Sequence, residues 1–514
     1  MDTDSSSLKA AESGLAGNVP PEKDDTTING LSEGEGTTER VADGDEKQEK
    51  PPAQDVSWDW NTDPDNPYNW PAGKKWWQVA MISSFGFLAS MGTSIMAPAH
   101  QQLMDEFDVT ITQAILPLTM YTFSLGLGPV VGGPMSETVG RYPVFVLLSP
   151  IGALFTLGAG FCHSFAGICI LRFLAGFCFS PSLSVSAGTL NETFRPVERG
   201  LPSTLFILTP FLGPGLAPLI GSFVVNRRGW RWTQWTMLFF FVFSISIALL
   251  FGHETYHPVL KRRKAKKLGL PVPPVPSTLQ RIRAFVTVAL IRPVHMLFTE
   301  PIVSFVCLYV SCEFATLFTF FAAVPYSFQT VYHFTLEQSG LVFAAIVVGC
   351  LLGTLTIILC DVLFYRAQIP KHPPHQVPPE YRLLPAMIGS VGLPVGLFWF
   401  AWTARSDVSW ASPAVALVPF AWGNLCLFIS TMQYTSDTYH GSTVASAASA
   451  NSLSRYVLAG AFPLFTIQMY QNLGINWASS LLGFIAAALL PVPWVLFKFG
   501  KIIRMKSRYE TASY

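Results

Sequence analysis

Residues 132–143 read GGPMSETVGRYP, a glutamate and an arginine set among glycines and prolines in otherwise apolar sequence. The apolar run 113–136 leads into this stretch, and 143–162 leaves it. About 20 mostly apolar residues carry a helix across the hydrocarbon of a bilayer. The stretch therefore reads as a polar turn between two membrane-crossing helices. Composition agrees: half of the 514 residues are hydrophobic and 13% are charged, against roughly a quarter charged in a soluble domain.

Runs of similar length recur at 76–98, 164–189, 201–225, 233–252, 302–327, 338–362, 383–404, 411–435, 443–470 and 477–498. With the first two they make twelve, split six and six by residues 253–296, which hold KRRKAKK (261–267) and PVPPVP (271–276). Basic residues mark the cytoplasmic loops of membrane proteins. With a cytoplasmic amino terminus, 22 of the 33 lysines and arginines fall inside, and only Arg227, Arg228, Arg231 and Arg405 fall outside. The expected fold is an all-α membrane protein of twelve spans in two six-helix bundles, with both termini cytoplasmic. Its parts are an acidic disordered tail (1–70), a first bundle (71–252), a basic central loop (253–296), a second bundle (297–500) and a closing tail (501–514). The tail assignment rests on charge, because residues 1–65 carry 17 of the 32 acids and almost no aliphatic runs. No signal-peptide core precedes the first span.

Spacing then gives the turn a second meaning. Gly133, Glu137, Gly140 and Arg141 stand as G-x-x-x-E-x-x-G-R, which resembles the signature loop of the major facilitator superfamily. Thr138 and Tyr142 depart from that pattern where a basic residue is common. In this reading Gly133 lets two helices approach closely, Gly140 permits a tight turn, and Glu137 with Arg141 forms a latch on the cytoplasmic side. DPDNPYNW (63–70), GWRWTQW (229–235), HETYHPVLKRRKAKKLG (253–269), FTEPI (298–302) and GAFPLFTIQMYQNLGINWASSLLG (460–483) are similar to the fungal twelve-span drug:proton antiporter branch of that family. That branch includes multidrug, secondary-metabolite and polyamine exporters. The resemblance implies inverted three-helix repeats and a central substrate site. In FLGPGLAPLIGSF (211–223), Gly213, Pro214, Gly215 and Pro218 resemble the branch's glycine–proline element and form a candidate hinge. LRFLAG (171–176) resembles another of its elements in part.

A charge in hydrocarbon costs at least about 2.5–3.5 kcal/mol, so each one needs a partner or a polar cavity. Glu313 lies near the middle of span seven. A carboxyl buried without a permanent partner favours its neutral form and can load and release protons as access alternates. It is the expected proton carrier, with a static hydrogen bond to a neighbouring helix as the alternative; Arg172 in span four is assigned to the same path or to structural anchoring. Asp361 and Asp437, at the inner ends of spans eight and ten, read as gate residues. Phe320, Phe321, Tyr326, Trp422 and Arg455 are candidates for the substrate cavity wall.

Other readings are weaker. KRRKAKK sits beside two spans, so lipid headgroups rather than nucleic acid are its expected partner. The eight cysteines lack metal or disulfide spacing, KHPPH (371–375) lacks further ligands, and no phosphate-cradling loop is present; no cofactor and no metal is expected. His100 and Asp105 match an acyltransferase spacing by chance, so an enzyme is not expected. The expectation is a monomeric, proton-coupled exporter of amphipathic drugs, toxins or fungal metabolites, neutral or singly cationic. Plasma membrane is the default location, with vacuole or vesicle as alternatives. A polyamine or nutrient carrier, or a sensor that has lost transport, would share the fold.

Overall fold

The computed structural model describes residues 58–195, 198–269, 285–373, 377–440 and 442–512. The described residues from Asp59 onward form one compact unit. The expectations for 1–57 and for PVPPVP lie outside the described residues.

Twelve long helices dominate the described residues. They are α1 (Ala72–Met91), α2 (Leu116–Val139), α3 (Arg141–Phe161), α4 (Phe165–Thr193), α5 (Gly200–Arg228) and α6 (Arg231–Phe251) in the first half. The second half holds α7 (Pro301–Tyr332), α8 (Leu336–Lys371), α9 (Pro379–Thr403), α10 (Ala411–Thr438), α11 (Ser442–Ala461) and α12 (Pro463–Arg504). Nine of them, all but α1, α2 and α11, are long and apolar enough to cross a membrane. Large apolar side chains point outward along these helices, among them Leu154, Phe239 and Leu250, and such a surface suits lipid rather than water.

Buried side chains gather into two large cores. One runs from Val79 to Ala248 and takes in Tyr456; the other runs from Ile302 to Leu496 and takes in Leu208 and Phe211. Helix α5 lies between them. A Cβ at Gly213 would stand 2.9 Å from the Met91 nitrogen, and one at Gly215 would touch Ile346 and Val347 of α8 at 3.4 Å. Pro210, Pro214 and Pro218 remove three backbone donors from this same helix, and each proline clashes with the carbonyl a turn before it and bends the helix. The candidate hinge thus sits where the two cores meet.

The chain turns sharply inside α12, where Gly474 has φ 74°. Tyr470 and Ser479 hydrogen-bond across the turn at 2.8 Å, nine residues apart, which no continuous helix allows.

The first segment differs from expectation at 58–70. It is folded onto the helix His257–Lys267 of the central loop. The Trp60 indole donates to His257 Nδ1 at 3.2 Å, and Lys264 pairs with Asp63 at 3.3 Å and Asp65 at 2.7 Å. Asp63 and Asn66 are buried, so the acidic tail ends before this clamp. Part of the basic run answers these carboxylates rather than a surface beyond the protein.

Candidate functional site

The turn at 132–143 is built as a tight corner. Gly140 has φ 109°, a conformation strained for any residue with a side chain. The close helix approach comes one residue earlier than the motif suggested. A Cβ at Gly132 would fall 2.6 Å from that of Pro181 on α4, whereas one at Gly133 would meet nothing within 4 Å. Arg141 does not close a latch with Glu137. Its Nη2 and Nε donate to Glu192 Oε1 at 2.8 and 3.1 Å, Nη1 donates to Ser136, and its plane lies 4.8 Å over the Tyr256 ring. The backbone N–H groups of Arg141 and Tyr142 donate to Glu254 at 2.8 and 3.3 Å. Glu137 is exposed and forms no ion pair among the described residues. Glu192 and Glu254 were missed by the motif because they arrive from the ends of α4 and α6.

The same end of the second half carries a matching cluster. Arg382 donates to Asp437 at 2.9 Å and to Asp361 at 3.3 Å, and Arg366 donates to Asp361 at 3.0 Å. Asp361 and Asp437 are thus brought together by Arg382, which no sequence motif singles out. A Cβ at Gly200, the first residue of α5, would lie 3.5 Å from Asp361 Oδ2. Arg366 Nη2 would lie 3.4 Å from the same Cβ, so the Asp361–Arg366 pair packs against the start of α5 in the other half.

The opposite end closes through other residues. Glu337 of α8 accepts from Arg227 and Asn226 of α5, both at 3.0 Å, and Gln468 donates to Thr112 at 2.6 Å. Within the first half, Glu106 accepts from Arg231 at 2.6 and 2.9 Å and from the Trp230 indole at 2.7 Å. The Arg231 hydrogen bonds hold the Glu106 carboxyl below the usual carboxylate range. A depressed native value means that ionised Glu106 contributes stability above the unfolded carboxyl pKa, roughly 4.3, and that this contribution fades as pH falls through the native value. The melting temperature should therefore drop less between pH 5 and pH 3 in Glu106→Gln than in the unmodified protein. Parallel curves would remove Glu106 from the acid response.

Between the two closed ends lie the buried charges, and they do not form one path. Arg172 is fully buried in the first core. It donates to the Gly92 carbonyl, reaches Met237 Sδ at 3.3 Å and lies 4.4 Å over the Tyr121 ring. These contacts tie α1, α2, α4 and α6 together, and among the described residues no carboxylate is bonded to it. Glu313 belongs to the second core. Both of its oxygens are buried without a hydrogen-bond partner among the described residues. They border a small internal cavity with Tyr309 and Thr316 of α7, Leu393 of α9, Phe420 of α10 and Ala486 of α12. Arg455 attracts this carboxylate without forming an ion pair with it.

Four of the five cavity-wall candidates have partners within the second half. Phe320 packs on Phe400 and Phe420, Phe321 on Phe318 and Phe343, and Tyr326 faces Tyr470. The Trp422 indole donates to Thr356 at 2.9 Å. Arg455 alone of the five stands where the cores meet. It lies 4.5 Å from the ring of Phe314, 4.7 Å from Phe428 and 4.4 Å from Tyr456. Phe211 of α5 meets Phe314 edge-on and Phe428 at a tilt.

A helical membrane protein with two cores joined at both ends, and charges buried within them, has the architecture of a multi-pass transporter. The profile of the Major Facilitator Superfamily matches residues 82–463, and the chain belongs to that family. It is a transporter and not an enzyme. It is 37% identical over 489 residues to Polyamine transporter 4 of Saccharomyces cerevisiae, covering 90% of this chain and 74% of that protein. It is 35% identical to the Citrinin biosynthesis cluster MFS transporter mrr1 of Monascus ruber, covering 90% and 94%. It is also 35% identical to Efflux pump FUB11 of Gibberella moniliformis, covering 85% and 75%.

Proposed function

We propose that the protein is a proton-coupled antiporter that exports amphipathic small molecules by alternating access. Twelve spans form two six-helix bundles, 71–252 and 297–500, with both termini in the cytoplasm and the plasma membrane as location. The Arg141–Glu192 and Arg382–Asp361–Asp437 clusters form the cytoplasmic gate, and the Arg227–Glu337 contact forms the outer one. Glu313 carries the proton, α5 bends at Gly213–Pro218 as the gates exchange, and Arg172 holds the first bundle rigid.

One observation carries this reading: a buried, unbonded carboxyl lies between two ends that are closed by separate polar contacts. Polar contacts at the two ends can break alternately, and a ligand moves such an equilibrium only by binding its two states unequally. Relatives named as efflux pumps and metabolite-cluster transporters support the outward direction. The relative named as a polyamine transporter favours a polyamine as second substrate class. A molecule with several positive charges calls for several unpaired acids, and Glu313 is the buried unbonded one among the described residues.

Yeast lacking its own pumps, loaded with a fluorescent amphipathic aromatic compound, tests the proposal. Cells expressing the chain should clear the dye faster than cells without it, and a protonophore should abolish the difference. Efflux indifferent to the protonophore would overturn proton coupling; dye uptake in place of efflux would overturn the direction.

A further inference from the structure

We infer that the substrate this exporter takes is an aromatic carboxylate, held by the Arg455 guanidinium inside a cage of Phe314, Phe428, Tyr456 and Phe211. The inference rests on the exporter reading and replaces the neutral or cationic cargo expected from sequence.

Arg455 is 8% exposed, and its surroundings differ from those of Arg141, Arg172, Arg382 and Arg504, which are buried or partly buried. Arg141, Arg382 and Arg504 are each bonded to a carboxylate, and Arg172 is bonded to a backbone carbonyl. Arg455 has no hydrogen-bond acceptor and no ion-pair partner among the described residues; its contacts are three ring faces. A desolvated cation–π contact returns less than removing an ion from water costs. The guanidinium fork remains open to an acceptor. That fork matches the two oxygens of a carboxylate or a phosphate in bidentate geometry, and the apolar rings beside it suit the singly charged carboxylate. The rings around it offer flat apolar faces, on which an aromatic body stacks.

Position supports the same conclusion. The cage is assembled from α5 of the first half and α7, α10 and α11 of the second, so an opening between the halves exposes it. The nearest acid, Glu313, faces the internal cavity within the second core. A cation arriving at the interface would meet the Arg455 charge first, because Glu313, the unbonded carboxylate that Arg455 attracts, borders that cavity instead.

Three naphthalene compounds of one shape and different charge test the inference: 1-naphthoate, 1-naphthamide and 1-naphthylmethylammonium, loaded as radiolabels into pump-deficient yeast expressing the full chain. Efflux of naphthoate should exceed that of the other two by about tenfold or more, the worth of a charged hydrogen-bond pair. Arg455→Gln should lose that preference, the ratio of naphthoate to amide efflux falling to about one, and Arg455→Lys should fall between. Preference for the amide or the ammonium compound, or unchanged naphthoate efflux in Arg455→Gln, overturns the inference and leaves the exporter reading standing. If none of the three leaves the cell, the purified full chain decides. Naphthoate should raise the melting temperature of the unmodified protein and not that of Arg455→Gln. Binding there without efflux of any compound counts against export alone; equal shifts, or none, count against the anion site.

Discussion

Glu313→Gln is expected to abolish protonophore-sensitive efflux while the protein remains folded and at normal abundance in the membrane. Glutamine matches the size of glutamate and keeps an acceptor oxygen, so packing around α7 is preserved. It cannot bind or release a proton, and only that property is removed. The loss should be large because Glu313 is the buried acid on the described chain with neither oxygen bonded. Moving one charge is worth about 2.3 kcal/mol per 100 mV, so a single lost carboxyl removes most of the coupling energy. Substrate exchange without a proton gradient should survive, since neither gate cluster includes Glu313. The measurement is dye efflux beside counterflow in the same vesicles. Efflux that stays protonophore-sensitive in Glu313→Gln would move the proton to another group. Asp361 and Asp437 would be next, although Arg382 holds both as ion pairs.

Parts of this molecule were open to reading from the chain, and parts were not. Apolar runs and their punctuation placed the long helices, because length and hydropathy are properties of contiguous residues. The corner at Gly140 was equally local, and its φ of 109° follows from a glycine between two helices. Pairing was not local. Arg382 reaches Asp361 and Asp437 across 21 and 55 residues, and nothing in either neighbourhood announces the other. The Arg455 cage was hidden for a different reason. The chain holds 40 phenylalanines, and a phenylalanine on a membrane helix faces lipid, core or interface with the same spelling. Phe320 and Phe321 share α7 with Phe314, and only the rotation of that helix separates them, while Phe428 comes from α10. The same one-residue ambiguity set Gly133 against Gly132.

Arg141→Ala is expected to cost about 3 kcal/mol of stability, the lower range for stranding one member of a buried ion pair. Arg141 and Glu192 have side chains only 11% and 15% exposed. After the substitution the Glu192 carboxylate keeps one bond, from Thr255 Oγ1 at 3.1 Å, and its charge stays in a poorly solvated place. The cost is therefore more that of the orphaned carboxylate than of the lost contact. This distinction can be measured. Glu192→Gln in the Arg141→Ala background should recover part of the loss, so the double variant melts above the sum of the singles. Arg141→Lys should fall between Arg141→Ala and the unmodified protein, because an ammonium keeps the charge but not the two-pronged bond or the stacking over Tyr256. Transport should follow the same order if this corner holds the cytoplasmic gate, with efflux in Arg141→Ala down at least about tenfold, as befits a bias of 1.4 kcal/mol or more between the two gates. Additive melting losses would mean that Glu192 is well solvated without its partner. Normal efflux in a destabilised Arg141→Ala protein would leave the corner as a structural clamp and place the gate in the Arg382 cluster alone.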